Sequence, residues 1–202
     1  TKIKDICHGL SLSYERNINF KYLFYGNEGE IKKNISLFKS LTKVSDVIHC
    51  DEAVEMTDIP SEVIKNKKQS SMSLAIESVS KKYSDAVLSF GNTGALMTFA
   101  LLMIKTLDSI RRPSIASIWP NLSGDSIILD LGANTKQDSR FLIDNALLGS
   151  SLASILFKMQ KPSIGLLNVG TEDNKGNDEI RLAAEKLRAL SLKSIVNYHG
   201  FI

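Results

Sequence analysis

The chain has 202 residues, 43% of them apolar and 23% charged, which is ordinary for a soluble globular protein. This length can bury a full core in one large domain or in two small ones. The formal net charge of +3 is too small to indicate a nucleic-acid partner by itself.

Strand-like and helix-like segments alternate along the chain. Short apolar runs predict strands at residues 18–25, 44–50, 86–88, 114–119, 126–131, 163–168 and 194–198. Helical spacing and helix-forming residues predict helices at residues 28–39, 70–83, 95–105, 139–159 and 179–190. The alternation predicts an α/β fold in three layers (α/β/α), with a mostly parallel sheet covered on both faces. We expect one such domain over residues 1–202.

Three polar loops that contain glycine follow predicted strands. They are residues 91–94 (the first loop), 132–134 (the second loop) and 170–177 (the third loop). Ligands of parallel sheets bind outside the carboxyl ends of the strands. We therefore expect the three loops to meet at one edge of the sheet.

The first loop joins a predicted strand to an apolar helix. Backbone N–H groups at the start of a helix suit a phosphate or a carbonyl oxygen that gains charge. Gly91 and Gly94 allow a ligand to approach closely and tolerate a positive φ. The alternative is an ordinary turn in which Asn92 and Thr93 cap the helix. This segment alone leaves both interpretations open.

The second loop follows Asp130, which lies near the end of a predicted buried strand. A buried carboxylate is costly unless it is paired or hydrogen-bonded. Asp130 therefore either holds the neighbouring loop structurally or positions the loop amide or a lysine for function.

In the third loop, Lys175 beside Gly176 can reach back over the strand ends as a point charge for a phosphate. The side chains that can orient it are Asn168, Glu172 and Asn177. The alternative is a solvated polar turn in which Asn177 or Asp178 caps the next helix.

The segment KKQSSM, residues 67–72, is a further candidate phosphate site. Lys67 and Lys68 precede a predicted helix, where positive charge is unfavourable unless an anion binds between them. Ser70 or Ser71 is a natural helix cap. Arg111 and Arg112, which precede a predicted strand, add charge there or are simply solvated.

The signatures of several other enzyme classes are absent from the sequence. It contains no G-x-G-x-x-G after the first strand, no Walker motif, no G-x-S-x-G and no H-E-x-x-H.

Cys7 and Cys50 are far apart in apolar surroundings, which predicts buried free thiols. The three histidines lack the spacing of a metal site, and residues 95–104 are too short an apolar run to span a bilayer. Glycines, amides and lysines favour anion binding and polarised-carbonyl chemistry.

Five blocks occur in order: KKxSSM (67–72), SFGNTGALM (89–97), RRP (111–113), LDLGAN (129–134) and GLLNVGTExxKGN (165–177). Together they resemble the bacterial phosphate acyltransferase family, PlsX, from about residue 19 to the C-terminus. The resemblance implies a fold like those of phosphotransacetylase and isopropylmalate dehydrogenase. It implies transfer of a fatty acyl group from acyl carrier protein to inorganic phosphate, giving acyl phosphate for phospholipid synthesis. A membrane acyltransferase then passes the acyl group to glycerol 3-phosphate.

The resemblance also implies a cytoplasmic homodimer with no metal, cofactor or nucleic acid, and peripheral membrane contact through a segment outside this chain. The expected catalytic residues, which stabilise the phosphate and the oxyanion, are Lys175, Asn92 and Asn134. The expected phosphate- and substrate-binding residues are Lys68, Ser71, Gly91, Thr93, Gly94, Asp130, Gly132, Asn168, Gly170, Glu172, Gly176 and Asn177. Because acyl carrier proteins are acidic, Lys65, Lys67, Lys81 and Arg112 are candidates for steering their docking.

The sequence departs from the family pattern at both ends. The family begins with a D-A-M-G-G-D-type motif and continues into G-F-T-G-N and a hydrophobic helical segment, so we expect a domain incomplete at both ends. Phe90 stands where the family has a small residue, and residues 135–137 also differ. Two alternatives remain: a phosphotransacetylase acting on a small acyl-CoA, and an inactive lipid-synthesis scaffold.

Overall fold

The computed structural model describes residues 2–16, 19–122, 124–134 and 136–202. The chain forms two compact units, residues 1–105 and 106–202, and each is described by itself. Ile18, which begins the first predicted strand, and Thr135, which follows the second loop, lie outside the described residues. The single domain over residues 1–202 stays a prediction, as does the meeting of the three loops.

The first unit packs helices around a two-stranded parallel sheet. Its strands are β1 (Tyr22–Gly26) and β2 (Ser45–His49), with Tyr22 opposite Ser45. Its helices are α1 (Ile3–Glu15), α2 (Glu28–Ile35), α3 (Lys39–Thr42), α4 (Pro60–Asn66), α5 (Ser71–Ser80) and α6 (Thr93–Met103).

Two apolar clusters and three polar caps account for these helices. One cluster joins α1, α2 and α3 through Cys7, Ile31, Ile35 and Leu41, and the other joins α4, α5 and α6 through Val63, Met72, Ile76, Ala95 and Phe99. The side chains of Asn27, Ser70 and Asn92 accept hydrogen bonds from backbone N–H groups at the starts of α2, α5 and α6.

Cys7 and Cys50 are buried free thiols, as predicted, and burial raises the pKa of each.

The second unit has two strand pairs and two long helices. Its elements are β3 (Ala116–Asn121), β4 (Gly124–Leu129), α7 (Ser139–Phe157), β5 (Ser163–Leu166), α8 (Asp178–Leu192) and β6 (Asn197–Phe201). β5 and β6 pair in parallel, whereas β3 and β4 pair antiparallel. The core lies between α7, α8 and the β5–β6 pair and contains Ile143, Ala146, Ile164, Leu166, Ala183, Ala184, Leu187, Val196 and Phe201.

Helix α7 is apolar and long. It has 19 residues and a mean hydropathy of 1.3 over its most apolar stretch, so by length and composition it is able to cross a membrane. However, it contacts α8, β4 and β5, and it carries the buried polar residues Asp144 and Asn145. We therefore assign the apolar face that contains Ile143 and Ala146 to the core of the second unit, whereas Ile155 near the end of the helix is exposed.

The α/β class is confirmed, and α5, α6, α7 and α8 lie where helices were predicted. The helix predicted over 28–39 ends early, because the Ser36 hydroxyl donates to the carbonyl of Lys33 and the chain turns before α3. The strand predicted at 86–88 is wrong. None of these residues pairs with a described strand, and Leu88 is 67% exposed. Helix α4 was not predicted.

Two of the three described strand ladders are parallel, in accord with the predicted sheet. The strands pair in twos, however, and the described residues form no continuous sheet. The β3–β4 pair is antiparallel because only two residues separate these strands, which is too short for the crossover that a parallel pair needs.

Candidate functional site

The first loop packs closely against neighbouring residues of the first unit. A Cβ atom added to Gly94 would lie 2.8 Å from Cγ of Pro60, and one added to Gly91 would lie 3.1 Å from Cε of Met72. The glycines therefore permit close packing. Neither has a positive φ, so their tolerance of that conformation is not used here.

Asn92 caps α6 and also anchors a distant segment. Its Oδ1 accepts the N–H of Ala95 at 3.0 Å. Its Nδ2 donates to the carbonyl oxygens of Glu55 and Met56, each at 3.3 Å, and of Asp58, at 2.9 Å. Both ends of this amide are thus occupied by the protein, as the capped-turn interpretation predicts. A direct catalytic role for the side chain stays a prediction.

The start of α6 nevertheless keeps donors for a ligand. The first N–H groups of a helix have no intrahelical acceptor, and Asn92 satisfies only that of Ala95. The N–H groups of Thr93 and Gly94 lie in the same turn, just before that of Ala95, and Thr93 is exposed. Together with the positive end of the helix dipole, these two N–H groups suit the binding of an anion.

The KKQSSM segment contains one paired lysine and one exposed lysine. Nζ of Lys67 donates to Oδ2 of Asp58 at 2.6 Å and to the carbonyl of Ala53 at 2.9 Å. This contact lowers the pKa of Asp58 and raises the pKa of Lys67. Lys68 is exposed and forms no ion pair among the described residues. Of the two lysines, Lys68 therefore remains available to an anion.

The serines of the same segment are both used locally. Ser70, and not Ser71, is the cap of α5, because its Oγ accepts the N–H of Ser73 at 3.4 Å. The N–H of Ser71 donates to the carbonyl of Glu52 at 2.9 Å. The half-buried Ser71 hydroxyl stays a predicted substrate contact.

The second loop is folded around Asp130. Oδ2 of Asp130 accepts the backbone N–H of Asn134 at 3.0 Å and its side-chain Nδ2 at 3.2 Å. Oδ1 accepts the N–H of Ile115 at 3.5 Å, and Gly132 turns the chain with a φ of +83°. Asp130 therefore holds the neighbouring loop through the backbone and side-chain N–H groups of Asn134. Its functional role stays a prediction.

Helix α7 holds the chain that leads into β3. Arg111 pairs with Asp138, the cap of α7, which lowers the pKa of Asp138. Ser114 donates to Oδ1 of the buried Asn145 at 2.5 Å. Sequence patterns did not reveal Asp138 or Asn145, since a single acid or amide in an apolar helix carries no distinctive signal. Arg112 is exposed and makes no ion pair among the residues described.

The third loop depends on its glycines. Gly176 has a φ of +83°, and a Cβ atom there would lie 2.4 Å from Oδ1 of Asn168 and 2.5 Å from Cγ2 of Ile180. A Cβ atom on Gly170 would lie 2.6 Å from Oε2 of Glu172. The loop therefore folds back on Asn168, at the carboxyl end of β5.

Lys175 lies exposed on this loop, and its backbone N–H donates to the carbonyl of Glu172 at 3.0 Å. Its ammonium forms no ion pair within the described ranges. Asn177 caps α8 by accepting the N–H of Ile180 at 3.0 Å. The loop thus presents an exposed positive charge close to a capped helix start.

An open pocket of about 400 Å³ lies beside Lys175. Its lining residues are Leu167, Asn168, Val169, Gly176, Asn177 and Ile180. Three of these side chains are apolar, while Asn168 and Asn177 add amides. Nδ2 of Asn168 is buried and has no hydrogen-bond partner within the described chain. The wall of this open pocket is therefore mostly apolar.

The three loops and the KKQSSM segment supply positive charge and hydrogen-bond donors. The described residues contain no group of three or more His, Cys, Asp or Glu side chains that could hold a metal ion. In the first unit these donor groups are the N–H groups at the start of α6, and in the second unit they are the Asn134 loop and Lys175. Each set, taken by itself, suits the binding of an anion.

Residues 2–202 match the family described as fatty acid synthesis protein. A phosphate acyltransferase from Rhodopseudomonas palustris strain BisB18 is 46% identical over 195 residues, covering 96% of this chain and 55% of that protein. Phosphate acyltransferases from Nitrobacter hamburgensis and a Chelativorans species are 43% and 42% identical, covering 96% and 93% of this chain and 55% and 54% of theirs. The chain thus spans about half the length of these relatives.

The fold is also found in a solved structure. The EutD phosphotransacetylase from Staphylococcus aureus matches with a TM-score of 0.54 at 17% identity. The match covers 99% of this chain and 73% of that chain. At this identity the likeness concerns the fold alone, and it confirms the predicted phosphotransacetylase-like fold.

Proposed function

The chain belongs to the fatty acid synthesis protein family, and on that premise we propose that it is part of a phosphate acyltransferase. The reaction is transfer of a fatty acyl group from acyl carrier protein to inorganic phosphate, which gives acyl phosphate. The observation that carries the proposal is the match along the whole chain to relatives named phosphate acyltransferase, at 42–46% identity.

In this reaction a phosphate oxygen attacks the thioester carbonyl. A carbon–oxygen bond forms, the carbon–sulfur bond breaks, and the thiolate of the carrier leaves and takes up a proton. Phosphate is already nucleophilic, so the protein must mainly hold a dianion in position and stabilise the oxyanion.

The proposed roles follow from the groups that the fold leaves free. In the second unit, Lys175 neutralises phosphate or the developing negative charge, and Asp130 holds Asn134 by two hydrogen bonds. In the first unit, the backbone N–H groups of Thr93 and Gly94 are donors for an anion. In the same scheme, Asn92 contributes by fixing the start of α6.

We also propose that the protein works in the cytoplasm as a homodimer in peripheral contact with the membrane. The fatty acid synthesis family supports the membrane contact, because an acyl phosphate would be passed on to a membrane acyltransferase. The cytoplasmic location and the homodimer rest on the family resemblance alone. The net charge of +3 supports docking of an acidic carrier protein through exposed lysines and Arg112. Salt-dependent binding of purified acyl carrier protein, and its loss in an Arg112→Glu variant, would test that surface.

The decisive assay uses the longest polypeptide that contains this sequence. It is incubated with long-chain acyl carrier protein, with and without inorganic phosphate, and free thiol is followed. Phosphate-dependent thiol release is the expected result. Equal turnover of acetyl-CoA would favour a phosphotransacetylase, the enzyme whose fold this chain shares. Carrier-protein binding without any turnover would instead indicate an inactive scaffold.

A further inference from the structure

The segment of residues 52–58 lies beside the first loop and is nearly devoid of regular structure. Apart from a single bridge between Glu52 and Ser70, it contains no strand or helix. Its backbone polar groups therefore need other partners. Residues of the KKQSSM and SFGNTGALM blocks supply them.

Lys67 binds this segment at two points. Its Nζ donates to the carbonyl of Ala53 at 2.9 Å and to Oδ2 of Asp58 at 2.6 Å. The same Oδ2 accepts the N–H of Glu55 at 2.8 Å. The ion pair thus closes a small loop, and the Lys67 side chain is only 26% exposed.

Asn92 binds the segment from the other side. Its Nδ2 donates to three carbonyl oxygens of residues 55–58, while its Oδ1 caps α6 through Ala95. Immediately after the segment, the ring of Pro60 lies against Gly94 in the first turn of α6. The position of the helix start and of its free N–H groups therefore depends on the 52–58 segment.

We propose that Lys67 and Asn92 are positioning residues that hold the 52–58 segment beneath the first loop, with Lys67 acting through Asp58 rather than on phosphate. The proposal rests on the proposed function, since it concerns how phosphate is bound there. The proposal gives the two lysines of KKQSSM different roles. Lys67 forms an ion pair with Asp58, whereas the exposed Lys68 is available to bind an anion.

A double-mutant cycle separates the two roles of Lys67. Lys67→Met, Asp58→Asn and the double variant are compared by kcat/KM for phosphate in the thiol-release assay. We expect each single variant to lower kcat/KM about tenfold and the double variant to resemble Lys67→Met, because both changes break the Lys67–Asp58 ion pair and only Lys67→Met also removes the hydrogen bond to Ala53. If Lys67 bound phosphate directly, Lys67→Met would lower kcat/KM by the same factor in the Asp58→Asn background as in the unmodified chain, and such additivity would overturn the proposal.

The matched control breaks another lysine–carboxylate pair of the first unit. Lys32 pairs with Glu28 at 2.5 Å on α2, away from the 52–58 segment. Lys32→Met should leave phosphate kinetics unchanged. An effect equal to that of Lys67→Met would mean that general destabilisation, and not positioning, explains the loss.

Hydrogen exchange tests the contact independently of turnover. We expect the amide hydrogens of Glu55 and Ala95 to exchange about tenfold faster in both Lys67→Met and Asp58→Asn than in the unmodified chain. If the unmodified protein shows no phosphate-dependent turnover, the proposed function fails. Hydrogen exchange then decides by itself whether Lys67 and Asp58 hold the 52–58 segment in place. Unchanged exchange at both amides would overturn the positioning role.

Discussion

Replacing Gly176 by alanine tests the conformation of the third loop. The added Cβ atom faces two separate penalties. A φ of +83° is left-handed, which costs an L-residue about 1–2 kcal/mol. The methyl group would also lie 2.4 Å from Oδ1 of Asn168 and 2.5 Å from Cγ2 of Ile180, and such overpacking costs about 1–3 kcal/mol.

Gly132 provides a matched control within the same unit. It has the same φ of +83°, but a Cβ atom there would meet nothing within 4 Å. Gly132→Ala therefore carries the backbone penalty alone. In both variants, alanine also restricts the unfolded chain, which offsets about 0.4–1 kcal/mol. We expect Gly176→Ala to lose about 1–3 kcal/mol more stability than Gly132→Ala.

The assay is urea unfolding followed by far-ultraviolet circular dichroism, with both variants compared to the unmodified chain. The difference between the variants measures the steric contacts, because the backbone terms cancel. If the two variants were equally destabilised, the close contact of Gly176 with Asn168 and Ile180 would be refuted. If neither lost stability, the left-handed conformation itself would be refuted.

Three further outcomes follow from the structure. Lys175→Met should lower phosphate-dependent thiol release about 100-fold through loss of its charge, and unchanged release would remove Lys175 from the mechanism. Asp58 has a lowered pKa, so its contribution to stability is present above its unfolded pKa near 4 and is lost as pH falls through the lower folded value. Asp58→Asn should therefore flatten the acid side of the melting-temperature profile, and a parallel profile would contradict this. Asn177→Ala should cost about 1 kcal/mol in urea unfolding by removing the α8 cap, whereas Asn177→Asp should retain it.

The sequence was most informative where local chemistry determines structure. Helices α5 to α8 were predicted from helical spacing of apolar residues in α5 and from apolar, helix-forming composition in α6, and the capping interpretation of Asn92 and Asn177 is confirmed. Strand pairing was less predictable, since it depends on partners far along the chain. Residues 86–88 have the composition of a buried strand but no described strand pairs with them.

Within the candidate site, residue types were predicted better than their partners. The sequence singled out Lys67, Asp130 and Asn92 as candidate residues. It did not reveal that Asp58 forms an ion pair with Lys67, or that the Asn92 amide donates to three distant carbonyl oxygens. Such contacts arise from tertiary packing. A spacing pattern shows which groups can bind an anion, whereas only the fold shows which of them the protein already occupies.

The exposure of β3 has a consequence for spectroscopy. Trp119 is the chain's one tryptophan, and 55% of it is exposed on a strand in which every residue is exposed. Its emission should already be that of a water-exposed indole in the folded protein, so loss of the apolar clusters of either unit should change it little. The same indole becomes a useful reporter of association, because a blue shift of its emission would show that another surface has covered β3.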